Sequence, residues 1–68
     1  MKLIDARGLS CPEPVIMIKK AMATNEAHYD MIVDNPTSRE NVTRYAEHQG
    51  YKVSYKEEDG EYTLSIDK

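Results

Sequence analysis

Cys11 is the residue with the clearest chemical potential, and it is the only cysteine among the 68 residues. It lies in the stretch RGLSCPEP, between a glycine and two prolines. A lone cysteine cannot form an internal disulfide, and it has no second thiol with which to run a dithiol–disulfide cycle. A single exposed thiolate can still carry a persulfide, a selenium adduct or a mixed disulfide with a partner. The sequence therefore points to group transfer on Cys11.

Two other uses of Cys11 compete with group transfer. A lone cysteine is often a small buried apolar residue, and a Cys–His hydrolase needs an imidazole beside the sulfur and a third orienting group. The only histidines, His28 and His48, are typical of solvated structural positions. They lack metal-ligand spacing with each other and with Cys11, so we expect no metal, no cofactor and no independent active-site constellation. We favour the reactive interpretation, because low-pKa thiols occur where a coil passes into a helix.

The prolines indicate where the first helix begins. With Ser10 as N-cap, Pro14 would be the fourth helical residue and would lack the N–H needed for the first intrahelical bond. With Cys11 as N-cap, Pro12 occupies N1, where proline is favoured, and Pro14 occupies N3, whose amide is unpaired in any case. The sequence therefore predicts Cys11 at the mouth of the helix, despite the capping-box spacing of Ser10 and Glu13.

This placement predicts a moderately activated thiol. The positive end of a helix dipole, or a nearby cation, lowers a thiol pKa from about 8.5 toward the range of about 3.5–7.5. Arg7 is near enough in the sequence to add positive charge, and Gly8 permits a tight approach. Glu13 acts in the opposite direction, and the two prolines remove amide donors that would otherwise face the sulfur.

The length and the charge restrict the class of protein. We expect residues 1–68 to form a single domain with a thin core and no deep substrate cavity. A net charge of −3 gives no case for nucleic-acid binding by bulk attraction. No apolar run approaches the roughly 20 residues that a membrane span needs, and the N-terminus lacks the apolar core of a signal peptide. We expect a cytoplasmic protein.

Hydrophobic periodicity predicts the element order β-α-β-α-β-β. The predicted strands cover residues 2–6, 28–35, 51–56 and 61–66, and the predicted helices cover residues 12–25 and 35–50. Two strand–helix–strand units imply parallel pairs, and a final hairpin at Asp59-Gly60 is antiparallel, so the sheet is mixed. Both helices should cover one face, which gives an α/β two-layer sandwich. The other face should be solvated and carries Lys52, Ser54, Lys56, Thr63 and Ser65.

The second helix has two candidate starts and a clear end. Thr37 and Glu40 have capping-box spacing, and Asn35 followed by Pro36 is the rival start. Gly50 predicts the C-terminal stop. Four tyrosines are expected to pack in the core or on a sheet face: Tyr45, Tyr51, Tyr55 and Tyr62.

The stretch DARGLSCPEPVIMIKKAM resembles the signature of the TusA-like (SirA-like) sulfur-carrier family. The matching positions are Asp5, Arg7, Gly8, Cys11, Pro12, Pro14, Lys19 and Lys20. The resemblance extends over essentially the whole chain. The later part, from Asp34 onward, looks most like the N-terminal domain of YedF-type proteins, which are associated with selenium metabolism. YedF-type chains continue into a second, DsrE-like domain, so this sequence is expected to be either a domain cut at that boundary or a stand-alone member.

The resemblance implies the same β-α-β-α-β-β fold and a definite chemistry. Cys11 would accept sulfur from a donor such as a cysteine desulfurase and hold it as a persulfide. The sulfur, or selenium, would then pass to an acceptor protein, for which a DsrE-like protein is one candidate. We expect the carrier to be a monomer.

A non-covalent module is the alternative function. It would bind a partner through the Arg7–Pro14 loop and the Lys19–Lys20 face of the first helix, with the thiol incidental. On charge pattern alone, Lys19 and Lys20 are more typical of a solvated helix face than of a docking patch. Asp5, one residue before the end of the predicted first strand, is expected to hold the Arg7 turn by local hydrogen bonds.

Overall fold

The computed structural model describes residues 3–10 and 12–68. Its elements follow the predicted order: β1 (Leu3–Asp5), α1 (Glu13–Met22), β2 (His28–Val33), α2 (Pro36–His48), β3 (Lys52–Glu58) and β4 (Glu61–Asp67). The two helices contact each other and pack against the sheet, which confirms the α/β two-layer sandwich. Neither described helix is long and apolar enough to cross a membrane.

The four strands lie in the order β1-β2-β4-β3. β1 and β2 are parallel neighbours, with Ile4 opposite Met31, whereas β4 is antiparallel to both β2 and β3. Each strand–helix–strand unit joins two strands of the same direction, as predicted, but only β1 and β2 are neighbours. β2 and β3 run in the same direction, but β4 returns from the hairpin and lies between them.

The core lies between the sheet and the helices. β2 and β4 alternate buried and more exposed side chains, as strands with one covered face do. The helices contribute Ile18, Val42 and Ala46, which are fully buried. The core residues from β2 and β4 are Tyr29, Met31, Val33, Tyr62, Leu64 and Ile66.

α1 begins and ends at other residues than the sequence predicts. Its N-cap is Pro12 and not Cys11, so Pro14 occupies N2 and not N3. The reason is a tight turn in which Glu13 N–H donates to the Ser10 carbonyl at 2.9 Å, ahead of the first helical bond from Ile16 to Pro12. The helix ends at Met22 and not at residue 25, because the following amides bond three residues back and Asn25 has a left-handed φ of 56°.

α2 takes the rival start. Asn35 is the N-cap, its side-chain oxygen accepts from the Ser38 N–H at 2.7 Å, and Pro36 is the first helical residue. The β2 prediction was accordingly two residues too long, since the strand ends at Val33. Gly50, with φ of 90°, follows the helix end as predicted.

Tyr55 takes the sheet-face position that the sequence allowed and not a core position. Tyr51 is buried, but Tyr55 is 49% exposed. Its ring meets the edge of the Tyr62 ring at 5.7 Å, and the Arg39 guanidinium lies 4.9 Å from both ring centres. Tyr55 therefore packs at the rim of the core, beside Arg39 of α2.

Candidate functional site

The candidate site is the loop that connects β1 to α1. The Ala6 N–H donates to the Ile32 carbonyl at 2.9 Å, which extends the β1–β2 pairing by one residue. Gly8 then turns the chain with a φ of 79°, a left-handed conformation that side chains disfavour. Leu9 packs partly against the core, whereas Ser10 and Pro12 are exposed. Cys11 itself lies outside the described residues.

Asp5 holds the Arg7 turn, as the sequence predicted. Its Oδ1 accepts from the Arg7 backbone N–H at 3.1 Å and from Nε at 3.0 Å, and its Oδ2 accepts from Nη2 at 2.9 Å. Bidentate pairs of this kind fix orientation as well as charge. The side-chain and backbone hydrogen bonds from Arg7 lower the pKa of Asp5 to about 2, and the same carboxylate, followed by Glu61, raises the pKa of Arg7.

The Arg7 charge is shared between two carboxylates. Besides Asp5, it contacts Glu61 Oε2 on β4 at 3.5 Å through Nη1. The sequence interpretation gave Arg7 a second task, which was to add positive charge near the thiol. Because Asp5 and Glu61 offset that charge, the main role of Arg7 is to hold the loop in place through its bonds to these two carboxylates.

Sequence reasoning missed Asp34 and the loop contact of Asn35. The Gly8 N–H donates to Asp34 Oδ2 at 2.7 Å, and Asn35 Nδ2 approaches the Leu9 carbonyl at 3.5 Å. The available signal was topological. Asp34 follows β2 and the loop follows β1, and the carboxyl ends of adjacent parallel strands lie at the same edge of a sheet.

The first turn of α1 offers few free amide donors. Pro12 and Pro14 have no N–H, and the Glu13 N–H is already bonded to the Ser10 carbonyl. Pro14 is buried and Glu13 is exposed. The prolines thus anchor and stiffen the start of the helix, and any stabilisation of an anion there comes from the dipole more than from hydrogen bonds.

The remaining candidates do not gather at the loop. Lys19 and Lys20 are exposed in the last turn of α1, at the opposite end from the loop. His28 begins β2 and hydrogen-bonds Asp67 through Nδ1 and Asp30 through Nε2, so it too lies at the far end of the sheet. Within the described residues, no group of three or more His, Cys, Asp or Glu side chains is arranged to hold a metal ion.

The fold and the loop define a class: small two-layer α/β domains with a Cys-Pro-x-Pro segment between the first strand and the first helix. The chain belongs to the TusA family, since the family model described as Sulfurtransferase TusA matches residues 2–68.

Individual relatives agree with this assignment. A protein of Methanocaldococcus jannaschii, provisionally named a sulfur carrier protein, is 40% identical over 60 residues, which cover 85% of this chain and 80% of the relative. The sulfur carrier protein TusA of Pseudomonas putida is 29% identical over 59 residues, which cover 84% of this chain and 74% of the relative. A crystal structure of a SirA-like protein from Desulfitobacterium hafniense has a TM-score of 0.89 and 44% identity, and the match covers 98% of this chain and 96% of that one.

Proposed function

We propose that this chain is a sulfur carrier that holds a persulfide on Cys11. The observation that carries the proposal is the fastening of the loop ahead of Cys11 on two sides, by Asp5 and by Asp34. Ser10 and Pro12, which flank the cysteine in the sequence, are exposed. A fixed but accessible loop suits a group that another protein must reach. The names of the two relatives support the same role.

The proposed transfer is a thiolate exchange without net oxidation. The Cys11 thiolate attacks the terminal sulfur of a donor persulfide, R–S–SH. A new S–S bond forms on Cys11, the donor S–S bond breaks, and the donor leaves as a thiolate. Cys11 then carries –S–SH, and an acceptor thiolate takes the terminal sulfur by the same exchange. A cysteine desulfurase is the proposed class of donor, and a DsrE-like protein is a candidate acceptor.

The neighbouring residues have supporting roles in this proposal. Asp5, Arg7 and Gly8 shape the loop, and Pro12 and Pro14 stiffen the start of α1. We place the exposed Glu13 at the rim of the site, where it faces an approaching partner. Residues 1–68 would act as one carrier domain and as a monomer, in the cytoplasm, where thiols stay reduced.

Intact-mass measurement tests the proposal directly. The purified protein is incubated with a cysteine desulfurase and free cysteine and is then weighed. We expect one added sulfur atom, which is lost on reduction and absent from Cys11→Ser. The double variant Ser10→Cys, Cys11→Ser keeps a thiol in the same loop and should take up far less sulfur. Failure of the unaltered protein to gain sulfur from several desulfurases contradicts the proposal.

Two finer points extend the proposal. Repeating the mass measurement with selenocysteine tests selenium as cargo, which rests on the resemblance to YedF-type proteins. Lys19→Glu with Lys20→Glu tests these lysines as docking residues, since charge reversal should slow transfer from the donor without changing Cys11 alkylation. In the alternative, non-covalent function, the double charge reversal would abolish the biological effect and Cys11→Ser would leave it intact.

A further inference from the structure

Asp34 makes the shortest hydrogen bond described for the loop. Its Oδ2 accepts the Gly8 N–H at 2.7 Å, across 26 positions of sequence. A bond from an amide to an ionised carboxylate is roughly twice as strong as a neutral one. By contrast, the backbone bond from the Leu9 N–H to the Ala6 carbonyl is 3.4 Å long and correspondingly weak.

The Asp34 carboxylate also reaches the start of α2. Its Oδ1 accepts from Asn35 Nδ2 at 3.3 Å, while Asn35 Oδ1 caps the helix by accepting from Ser38 N–H at 2.7 Å. One side chain therefore joins the loop that leads into Cys11 to a helix whose inner face is buried. The loop is thereby connected to the packed helix layer through Asp34 and Asn35.

Asp34 is exposed and is absent from the hydrophobic core. Its truncation would leave no cavity in the core, so we expect Asp34 variants to remain folded. The main effect of the Asp34 hydrogen bonds is therefore on the loop. This loop leads into Cys11, which is the proposed sulfur-bearing residue.

We infer that Asp34 is a positioning residue for sulfur transfer: by holding the Gly8 N–H, it fixes the conformation of the loop that leads into Cys11. The inference rests on the proposed function. Misplacement of a reacting group by about 1 Å can slow a reaction by about 100-fold. Loss of the Asp34 bond should therefore slow sulfur transfer while the protein remains folded.

Three variants separate the bond from the charge. Asp34→Ala removes both. Asp34→Asn removes the charge but keeps an oxygen that can accept the Gly8 N–H, and Asp34→Glu keeps the charge but displaces the acceptor by one methylene. Glu57→Gln is the matched control, since it removes a negative charge at the same end of the sheet, and no described hydrogen bond joins it to the loop.

Sulfur uptake from a desulfurase is measured together with the rate of Cys11 alkylation by iodoacetamide from pH 5 to 9. Unfolding in urea reports how much of each variant is folded. We expect Asp34→Ala and Asp34→Glu to take up sulfur about 10- to 100-fold more slowly, in kcat more than in KM. Asp34→Asn should slow uptake less than Asp34→Ala or Asp34→Glu, because its amide oxygen can still accept the Gly8 N–H in a weaker, neutral bond. Glu57→Gln should stay close to the unaltered rate, and the alkylation profile should change most in the Ala and Glu variants.

Each outcome decides the question. Unchanged uptake and alkylation in Asp34→Ala overturn the inference, and so does equal slowing in Asp34→Ala and Asp34→Asn, which would assign the effect to charge. If Asp34→Ala does not fold, the comparison of Asn with Glu gives the same answer. If the unaltered protein takes up no sulfur, the proposed function fails, and the alkylation profiles still decide whether Asp34 positions the thiol.

Discussion

Arg7 Nη1 and Glu61 Oε2 lie 3.5 Å apart, although 54 positions separate them in the sequence. This contact joins the β1–α1 loop to the first residue of β4, beyond the β3–β4 hairpin. Since the same guanidinium makes a bidentate pair with Asp5, Arg7 connects the end of β1 to the start of β4. The Glu61 contact is long and half exposed, so its direct contribution to stability is small. Its consequence is orientation of the loop.

The pKa of Asp5 should show whether its hydrogen bonds to Arg7 are formed. We expect the pKa of Asp5 to be about 2 in the unaltered protein, and to return toward its ordinary value near 3.8 in Arg7→Ala, because the hydrogen bonds that lower it are gone. Carboxyl chemical shifts followed by NMR against pH measure this. Arg44→Ala, an exposed arginine on α2, is the control and should leave Asp5 unchanged. A pKa near 3.8 in the unaltered protein contradicts the assignment.

The same pair predicts how acid affects stability. The pKa of Asp5 is lower in the folded state than in the unfolded chain, so its ionised form stabilises the fold. This contribution is complete above about pH 4 and is lost as the pH falls through about 2. Urea unfolding of the unaltered protein and Arg7→Ala should therefore show a stability difference that shrinks from pH 5 to pH 2. A difference that stays constant over this range would rule out the linkage.

His28 predicts the opposite pH dependence. Hydrogen bonds to Asp67 first, and to Asp30 second, raise its pKa above 6.5, so the folded state binds the imidazole proton more tightly than the unfolded chain. The resulting stability is fully present below about pH 6.5 and is lost as the pH rises through the higher folded-state pKa. His28→Gln should therefore destabilise the protein more at pH 5.5 than at pH 9. A loss of stability in His28→Gln that is the same at pH 5.5 and pH 9 would contradict this assignment.

Leu64 and Leu3 differ greatly in burial, so their replacement by alanine should change the free energy of unfolding by different amounts. Leu64 is fully buried in β4, whereas Leu3 is 56% exposed. Leu64→Ala should lower the free energy of unfolding by about 2–5 kcal/mol, through lost transfer energy and a cavity. Leu3→Ala should change it by less than about 0.5 kcal/mol. Urea unfolding measures both, and similar losses at the two positions would contradict the assigned core.

The sequence predicted the element order well because its signals are local. Alternation in β2 and β4 identified the buried faces through Met31 and Leu64, and Asp59-Gly60 identified the hairpin. What failed depends on contacts between distant residues. No pattern within β3 or β4 predicts the strand order, in which β4 lies between β2 and β3. The surroundings of Tyr55 depend on Arg39, which α2 places beside its ring.

At the site, the proline argument was correct in kind and wrong by one residue. It placed the first helical residue at Pro12, whereas a tight turn from the Glu13 N–H to the Ser10 carbonyl precedes the helix, which begins at Glu13. Asp5 was predictable because its partner is two residues away. Asp34 was not, because its partner, Gly8, is 26 residues away and is recognised only once β1 and β2 are paired in parallel.

Gly8 and Gly60 form a matched pair that separates loop shape from stability. Both have a φ of 79°, and a Cβ added at either would meet no atom within 4 Å, so an alanine would strain the backbone without a clash. Each Gly→Ala change should cost about 1–2 kcal/mol, the penalty for an L residue in the left-handed region. The two variants should therefore unfold at similar urea concentrations.

Only one of these two variants should affect the thiol. Gly8→Ala changes the path of the loop three residues before Cys11, whereas Gly60 lies in the β3–β4 hairpin. We expect iodoacetamide to alkylate Cys11 at an altered rate in Gly8→Ala and at the unaltered rate in Gly60→Ala. Gly8→Asn should lie between them, because asparagine tolerates the left-handed conformation. Equal alkylation rates in all three would mean that the thiol does not depend on the loop conformation that Gly8 permits.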